Sequence, residues 1–180
     1  MSALRPVVLL LVVLAVMGVE ARRAARNERR QRRRGGIEPP GDVYAVMRVA
    51  YPLAFVTMCA EGWWRARAGG DPPGGVVLLG LLTFLAAKSL KWWAIATLGD
   101  CWTFRVIVVP GGSRIAHGPY RWLAHPNYVG VMGELVGVAM LVNAWLTGPI
   151  AAAGFLILIV RRIQIERRAL RRLVLRDQQV

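Results

Sequence analysis

The chain's two histidines stand eight residues apart in the run His117-Gly118-Pro119-Tyr120-Arg121-Trp122-Leu123-Ala124-His125-Pro126-Asn127-Tyr128. The run sets titratable rings and rigid turns between long apolar segments, a place to bind a polar cofactor beside a lipid at a membrane boundary. Pro126 suits the first turn of a helix, where its missing N–H costs nothing. The free amides of that helix start would face an anionic group such as a carboxylate. Tyr120, Trp122 and Tyr128 are spaced to flank a flat ring. Read by themselves, the same aromatic, Arg and His residues serve equally as anchors at a membrane interface.

Three further residues have chemical potential. Glu134 falls inside an apolar helix that begins near Asn127, about 10 Å of rise from its start. An acid at that depth costs a few kcal/mol unless paired or wet, so it is a functional candidate. The alternative is a structural partner for Arg105, Arg121 or Arg162. Arg162 and Glu166 share a helix face by their i,i+4 spacing, either as a plain surface pair or as part of a site where the last helix leaves the membrane.

The elements that must position these residues are apolar runs. Residues 4–20, 43–62, 75–95, 127–145 and 149–160 are expected to span a bilayer, the first at the short limit of about 17 residues. Eight arginines fall between Arg22 and Arg34. They are expected to form a cytoplasmic loop by the positive-inside rule, broken by Gly35-Gly36 and Pro39-Pro40-Gly41. Lys88, Lys91 and Trp92-Trp93 read as interface markers. Residues 96–126 are too polar and broken to span. Within them, residues 106–109 read as a short extended segment ending at Pro110-Gly111-Gly112. Fixing the Arg22–Arg34 segment inside puts the amino terminus outside. The 96–126 strip and the carboxyl-terminal tail, with Arg161, Arg162, Arg167, Arg168, Arg171, Arg172 and Arg176, then fall inside. The expected fold is an all-α integral membrane protein of five transmembrane helices, with a cytosolic cofactor-binding strip between helices three and four and a C-terminal helical hairpin.

Composition agrees. The chain is 56% hydrophobic yet carries a net charge of +14, and every basic residue but Lys88 and Lys91 is Arg. Such charge suits nucleic acid or an anionic membrane surface; the apolar runs choose anionic membrane lipids and exclude nucleic acid. Neither CxxC nor HExxH occurs, so no metal is expected. Cys59 reads as buried filler, and with Cys101 placed in the cytosol no disulfide is expected.

The run from His117 to Gly130, an apolar hairpin, and then Arg162…Glu166…Leu170 together resemble the isoprenylcysteine carboxyl methyltransferase family. That family's pattern is roughly G-P-Y-x-x-x-R-H-P-x-Y-x-G followed, after a hairpin, by R-x-x-x-E-E-x-x-L. The chain is expected to form one structural domain in two parts: 1–87, the N-terminal membrane helices and Arg-rich loop, and 88–180, the catalytic region that the resemblance implies. Lys91-Trp92-Trp93, Trp102-Thr-Phe-Arg105 and Arg26-Asn27 are similar to the short bacterial branch, whose members methylate alkylpyrones or alkylresorcinols. There are two departures: Ala124 stands where the pattern has Arg, and Arg167 where it has a second acid.

The resemblance implies a S-adenosylmethionine-dependent O-methyltransferase acting on a lipophilic or prenylated acceptor. It implies a cytosolic cofactor site enclosed by His117, Gly118, Pro119, Tyr120, His125, Pro126, Tyr128 and Glu166, with Glu134, Arg162 and His125 as catalytic candidates. A carboxylate acceptor needs no base; a phenol does, and Glu134 or His125 would serve. The Arg-rich composition points to a bacterial inner membrane. Two rival readings stand beside this one: an NADPH-dependent membrane sterol-type reductase, which shares a His-Pro strip, and a non-catalytic membrane protein.

Overall fold

The computed structural model describes residues 3–110 and 115–177, with side chains through Ala169. Gly111, Gly112 and Arg114 lie outside the described residues, as do the side chains of Leu170, Arg171, Arg172 and Arg176. Five helices follow one another: α1 (Leu4–Arg33), α2 (Tyr44–Arg67), α3 (Gly74–Leu98), α4 (Pro126–Val142) and α5 (Thr147–Asp177). Two short 3₁₀ turns, Gly99–Cys101 and Gly118–Arg121, lie between α3 and α4. No strand is present among the described residues.

Three of these helices, α1, α3 and α5, are long and apolar enough to cross a membrane, and α4 is a shorter apolar helix. Large apolar side chains such as Leu4, Leu11, Leu78, Leu82, Ile150 and Ile157 point outward from them. An outward apolar surface on helices of this length is what a lipid solvent requires, and the chain is an integral membrane protein. α2 carries Arg48, Glu61, Arg65 and Arg67 and is not among the three.

α3 and α4 are held together by small residues. Gly130, Gly133 and Gly137 share one face of α4, by their spacing of three and four. A Cβ on Gly137 would lie 2.8 Å from the Phe84 backbone nitrogen, and one on Gly133 2.7 Å from the Ala87 Cβ. Glycine at these positions lets the two backbones approach, which supplies packing where lipid offers no hydrophobic gain. Phe55, Met58, Phe84, Leu135, Val138 and Phe155 fill the core between α2, α4 and α5.

The Arg22–Arg34 segment corrects a sequence expectation. It is a direct continuation of α1 and not a loop. Its inner face, Glu20, Ala24, Asn27 and Gln31, is buried. Asn27 Nδ2 donates to the carbonyls of Gly99 (2.9 Å) and Trp102 (2.8 Å), and Gln31 Nε2 to that of Asp100 (2.9 Å). Arginine is a good helix former, and these bonds satisfy the carbonyls around the end of α3. The helix stops before Gly35, whose φ of +80° side chains disfavour.

The segment after α1 crosses the segment after α3. Ile37 and Val108 exchange backbone hydrogen bonds of 2.8 and 3.0 Å, so the extended stretch expected near 106–109 has a partner. Arg105 clamps it to Glu38 at 2.6 Å, and Arg32 reaches the other Glu38 oxygen at 2.5 Å. Burial alone would raise the Glu38 carboxyl, but these hydrogen bonds and charges hold it below its ordinary range.

Candidate functional site

The strip between α3 and α4 is anchored by backbone. His117 is extended and its carbonyl accepts the Tyr120 N–H at 3.2 Å. Gly118 has φ +58°, and a Cβ there would meet Thr97 Oγ1 of α3 at 2.5 Å, so only glycine fits the turn this close to α3. Pro119 is buried and its carbonyl accepts the N–H groups of Trp122 and Leu123. Burial and the charge of Glu166 hold the Tyr120 hydroxyl above the ordinary phenol range. His125 caps α4, with its carbonyl accepting from Tyr128 at 3.1 Å and Val129 at 3.3 Å, and Pro126 takes the first helical position.

One turn into α4 the two halves of the sequence pattern meet. Arg162 Nε donates to the Tyr128 hydroxyl at 2.8 Å, and that hydroxyl donates to Glu166 Oε1 at 3.3 Å. Arg162 and Glu166 are therefore joined through Tyr128, not as a bare surface pair. The His125 ring stacks on Tyr128 with centroids 5.4 Å apart, and its Nδ1 lies 3.9 Å from Glu166 Oε2. The side chains of His125 and Glu166 are 30% and 29% exposed, whereas that of Arg162 is 6% exposed. The cluster thus has a buried cationic floor and an accessible carboxylate–imidazole rim. Asp42, just before α2, completes the floor at 3.7 Å from Arg162.

Glu134 lies elsewhere. It is fully buried, and it pairs with Lys88 (3.0 Å), Lys91 (3.2 Å) and the Tyr51 hydroxyl (2.7 Å), not with Arg105, Arg121 or Arg162. Glu20 of α1 meets the same two lysines at 3.2 and 2.7 Å. Lys88 and Lys91 are therefore not interface markers; Lys91 is 2% exposed. The close approach of α3 at Gly130, where a Cβ would stand 2.8 Å from that of Lys91, brings the lysine to the acid.

Two residues of the region escaped the sequence reading. Asn127 sits in the His125–Tyr128 motif, and its buried Oδ1 has no hydrogen-bond partner. Asp42 is 120 positions from Arg162 and carries no local motif. The two departures from the family pattern, Ala124 and Arg167, are both exposed. No metal-binding group of three His, Cys, Asp or Glu residues exists among the described residues. Cys59 is buried and Cys101 exposed, both free.

The profile of the Isoprenylcysteine carboxyl methyltransferase (ICMT) family matches residues 78–172, more than half of the chain. It covers His125, Tyr128, Arg162 and Glu166 and leaves Asp42 outside. Among curated proteins the chain is similar to the "Uncharacterized protein YpbQ" of Bacillus subtilis, 27% identical over 76% of this chain and 79% of the relative. It is also similar to an "Uncharacterized protein" of Haemophilus influenzae, 24% identical over 51% of this chain and 54% of that relative. No solved structure matches the chain significantly.

Proposed function

The chain belongs to the isoprenylcysteine carboxyl methyltransferase family, a family of membrane methyltransferases, and from that premise we propose that it is a S-adenosylmethionine-dependent O-methyltransferase acting on a lipophilic acceptor. The observation that carries the reading is the cluster at the start of α4 in which Arg162 and Glu166 meet at the Tyr128 hydroxyl and His125 lies between the Tyr128 ring and Glu166. The residues present fit the cofactor. The buried, unpartnered Asn127 Oδ1 is an acceptor awaiting a donor, as an ammonium or adenine amino group would supply. Glu166 offers a negative charge at the rim, and Tyr120, His125 and Tyr128 offer flat faces. His117, Gly118, Pro119 and Pro126 shape the turns around them.

When bound, S-adenosylmethionine supplies a methyl group already activated on sulfur. The chain's own part is alignment, worth several kcal/mol when reacting groups are held in place, and removal of the acceptor proton. A carboxylate acceptor of the isoprenylcysteine type is ionised at pH 7 and needs no base. An alkylresorcinol phenol has a reference pKa near ~10 and benefits from one. His125 is placed to take that proton, with Glu166 positioned to stabilise the resulting imidazolium. Arg162 holds the Tyr128 hydroxyl and so fixes the ring on which His125 stacks. Glu134, engaged by two lysines, holds helices together in this scheme and leaves the proton to His125.

The five-helix topology supports a cytosolic site. The exposed arginines of α1 (Arg22, Arg26, Arg29 and Arg33 among them) and Arg161, Arg167 and Arg168 of α5 support an inside position for these ends by charge, against anionic lipid headgroups, with the amino terminus outside. An apolar tail would enter laterally between helices.

The test is calorimetric titration of the detergent-purified protein with S-adenosylmethionine and, separately, with NADPH. Saturable S-adenosylmethionine binding that is lost in His125→Ala is expected. NADPH binding in its place would move the chain to reductase chemistry, and binding of neither would overturn the enzymatic reading.

A further inference from the structure

Asp42 is a charged group of the buried floor that comes from outside the family-matched residues. Its side chain is 6% exposed, as is that of Arg162. Oδ1 accepts the Tyr44 N–H at 3.1 Å and faces Arg162 Nη1 at 3.7 Å, and Oδ2 accepts the Val106 N–H at 3.0 Å. One carboxylate therefore ties three elements together: the start of α2, the crossing segment after α3, and α5. A helix-start device explains only the first of these bonds, and asparagine serves that purpose as well as aspartate. The second oxygen and the negative charge are left to explain. Arg162 is otherwise engaged by the neutral Tyr128 hydroxyl and, at 4.0 Å, by the Met47 sulfur. Glu166 acts on Arg162 only across the Tyr128 hydroxyl, so Asp42, fixed by two backbone N–H groups, is the carboxylate paired directly with this buried guanidinium, and a buried guanidinium is costly without such a pair.

We infer that Asp42 is a positioning residue of the cofactor site, acting through Arg162 on the Tyr128 hydroxyl and its partner Glu166; the inference rests on the cofactor reading above. It makes the loop before α2 part of the catalytic unit, so the N-terminal half of this chain contributes more than membrane anchorage.

The experiment measures S-adenosylmethionine affinity by calorimetry for the wild type, Asp42→Asn, Arg162→Gln and the double variant, with Asp42→Glu and Glu38→Gln as comparisons. Asp42→Asn keeps the helix-start acceptor and loses both the charge and the acceptor for the Val106 N–H, a loosening of the crossing segment for which Glu38→Gln is the comparison. It is expected to weaken binding about tenfold, within the range for a residue that acts on a site through another. Arg162→Gln loses at least as much, and the double variant no more than Arg162→Gln alone, since Asp42 acts only through Arg162. Asp42→Glu recovers part of the loss. Glu38→Gln loosens the same crossing segment without touching Arg162 and binds as the wild type does. Losses that multiply in the double variant, or an equal loss in Glu38→Gln, would overturn the inference. If the wild type binds no S-adenosylmethionine, the cofactor reading fails. The melting midpoints of the same four proteins then decide the Asp42–Arg162 linkage: a double variant more stable than the two single losses predict upholds it, and simple additivity rejects it.

Discussion

The Tyr128 hydroxyl is the point at which Arg162 and Glu166 are joined. It accepts from Arg162 and donates to Glu166 while its ring carries His125. Tyr128→Phe keeps the ring and removes only the junction. Cofactor affinity is expected to fall about 10- to 100-fold, as for hydrogen bonds to charged groups, and the melting midpoint to drop as well, because the buried Arg162 Nε loses its acceptor. Calorimetry and thermal unfolding on one sample check both halves. Gly118 makes a backbone demand: alanine would have to hold φ +58° and push against Thr97, costing at least about 1–2 kcal/mol, read as a lowered midpoint. Glu38 gives a pH signature. Its carboxyl is held below the ordinary range by Arg105 and Arg32 against the opposing effect of burial. The ionised form thus favours the folded chain. Its contribution is full above the unfolded value near ~4.3 and disappears as pH falls through the lowered folded value. Melting midpoints of wild type and Glu38→Gln should therefore converge as pH falls below the unfolded value and through the lowered folded one.

Helix ends and helix contacts set the next scale. α5 begins on a cap supplied by another helix: Glu61 of α2 accepts the N–H groups of Leu146 (3.1 Å) and Thr147 (2.8 Å) and the Thr147 hydroxyl (2.6 Å), while Arg65 holds the same carboxylate at 2.8 Å. Glu61→Ala leaves these amides without their acceptor and should cost about 1–2 kcal/mol, measured as loss of thermal stability in detergent. The contact of α4 with α3 depends on Gly137 in the same way. A methyl group there would press on the Phe84 backbone, and the two helices would have to separate. Sequence reading found the apolar runs behind all five helices and the Pro126 start of α4, because hydropathy and proline geometry are local. It missed the helical state of residues 22–33, because that depends on Asn27 and Gln31 meeting a turn some 70 positions away.

Across the whole molecule, four charges, three of them buried, link three helices. Glu20 of α1 and Glu134 of α4 share Lys88 and Lys91 of α3, and Tyr51 of α2 adds a hydrogen bond. The set is neutral in total, so each charge depends on the others. Lys91→Met alone would leave a buried carboxylate without compensation and should destabilise by about 3–5 kcal/mol. Lys91→Met with Glu20→Gln restores neutrality and should recover much of that loss. Thermal unfolding of the three proteins checks it, and equal losses in single and double variants would mean the network carries no such balance.

The sequence by itself determined the membrane class, the helix-forming runs and the residues of the His125–Tyr128 and Arg162–Glu166 motifs, since each rests on hydropathy or on spacing along one chain segment. Only the tertiary structure decided who meets whom: that Glu134 belongs to a lysine network, that Arg162 reaches Glu166 through Tyr128, and that Asp42 joins them. A buried charge takes whichever opposite charge the packing brings near, and packing here is governed by glycines on α4 and polar side chains on α1. Their effect is to bring together residues far apart along the chain, which no local pattern records.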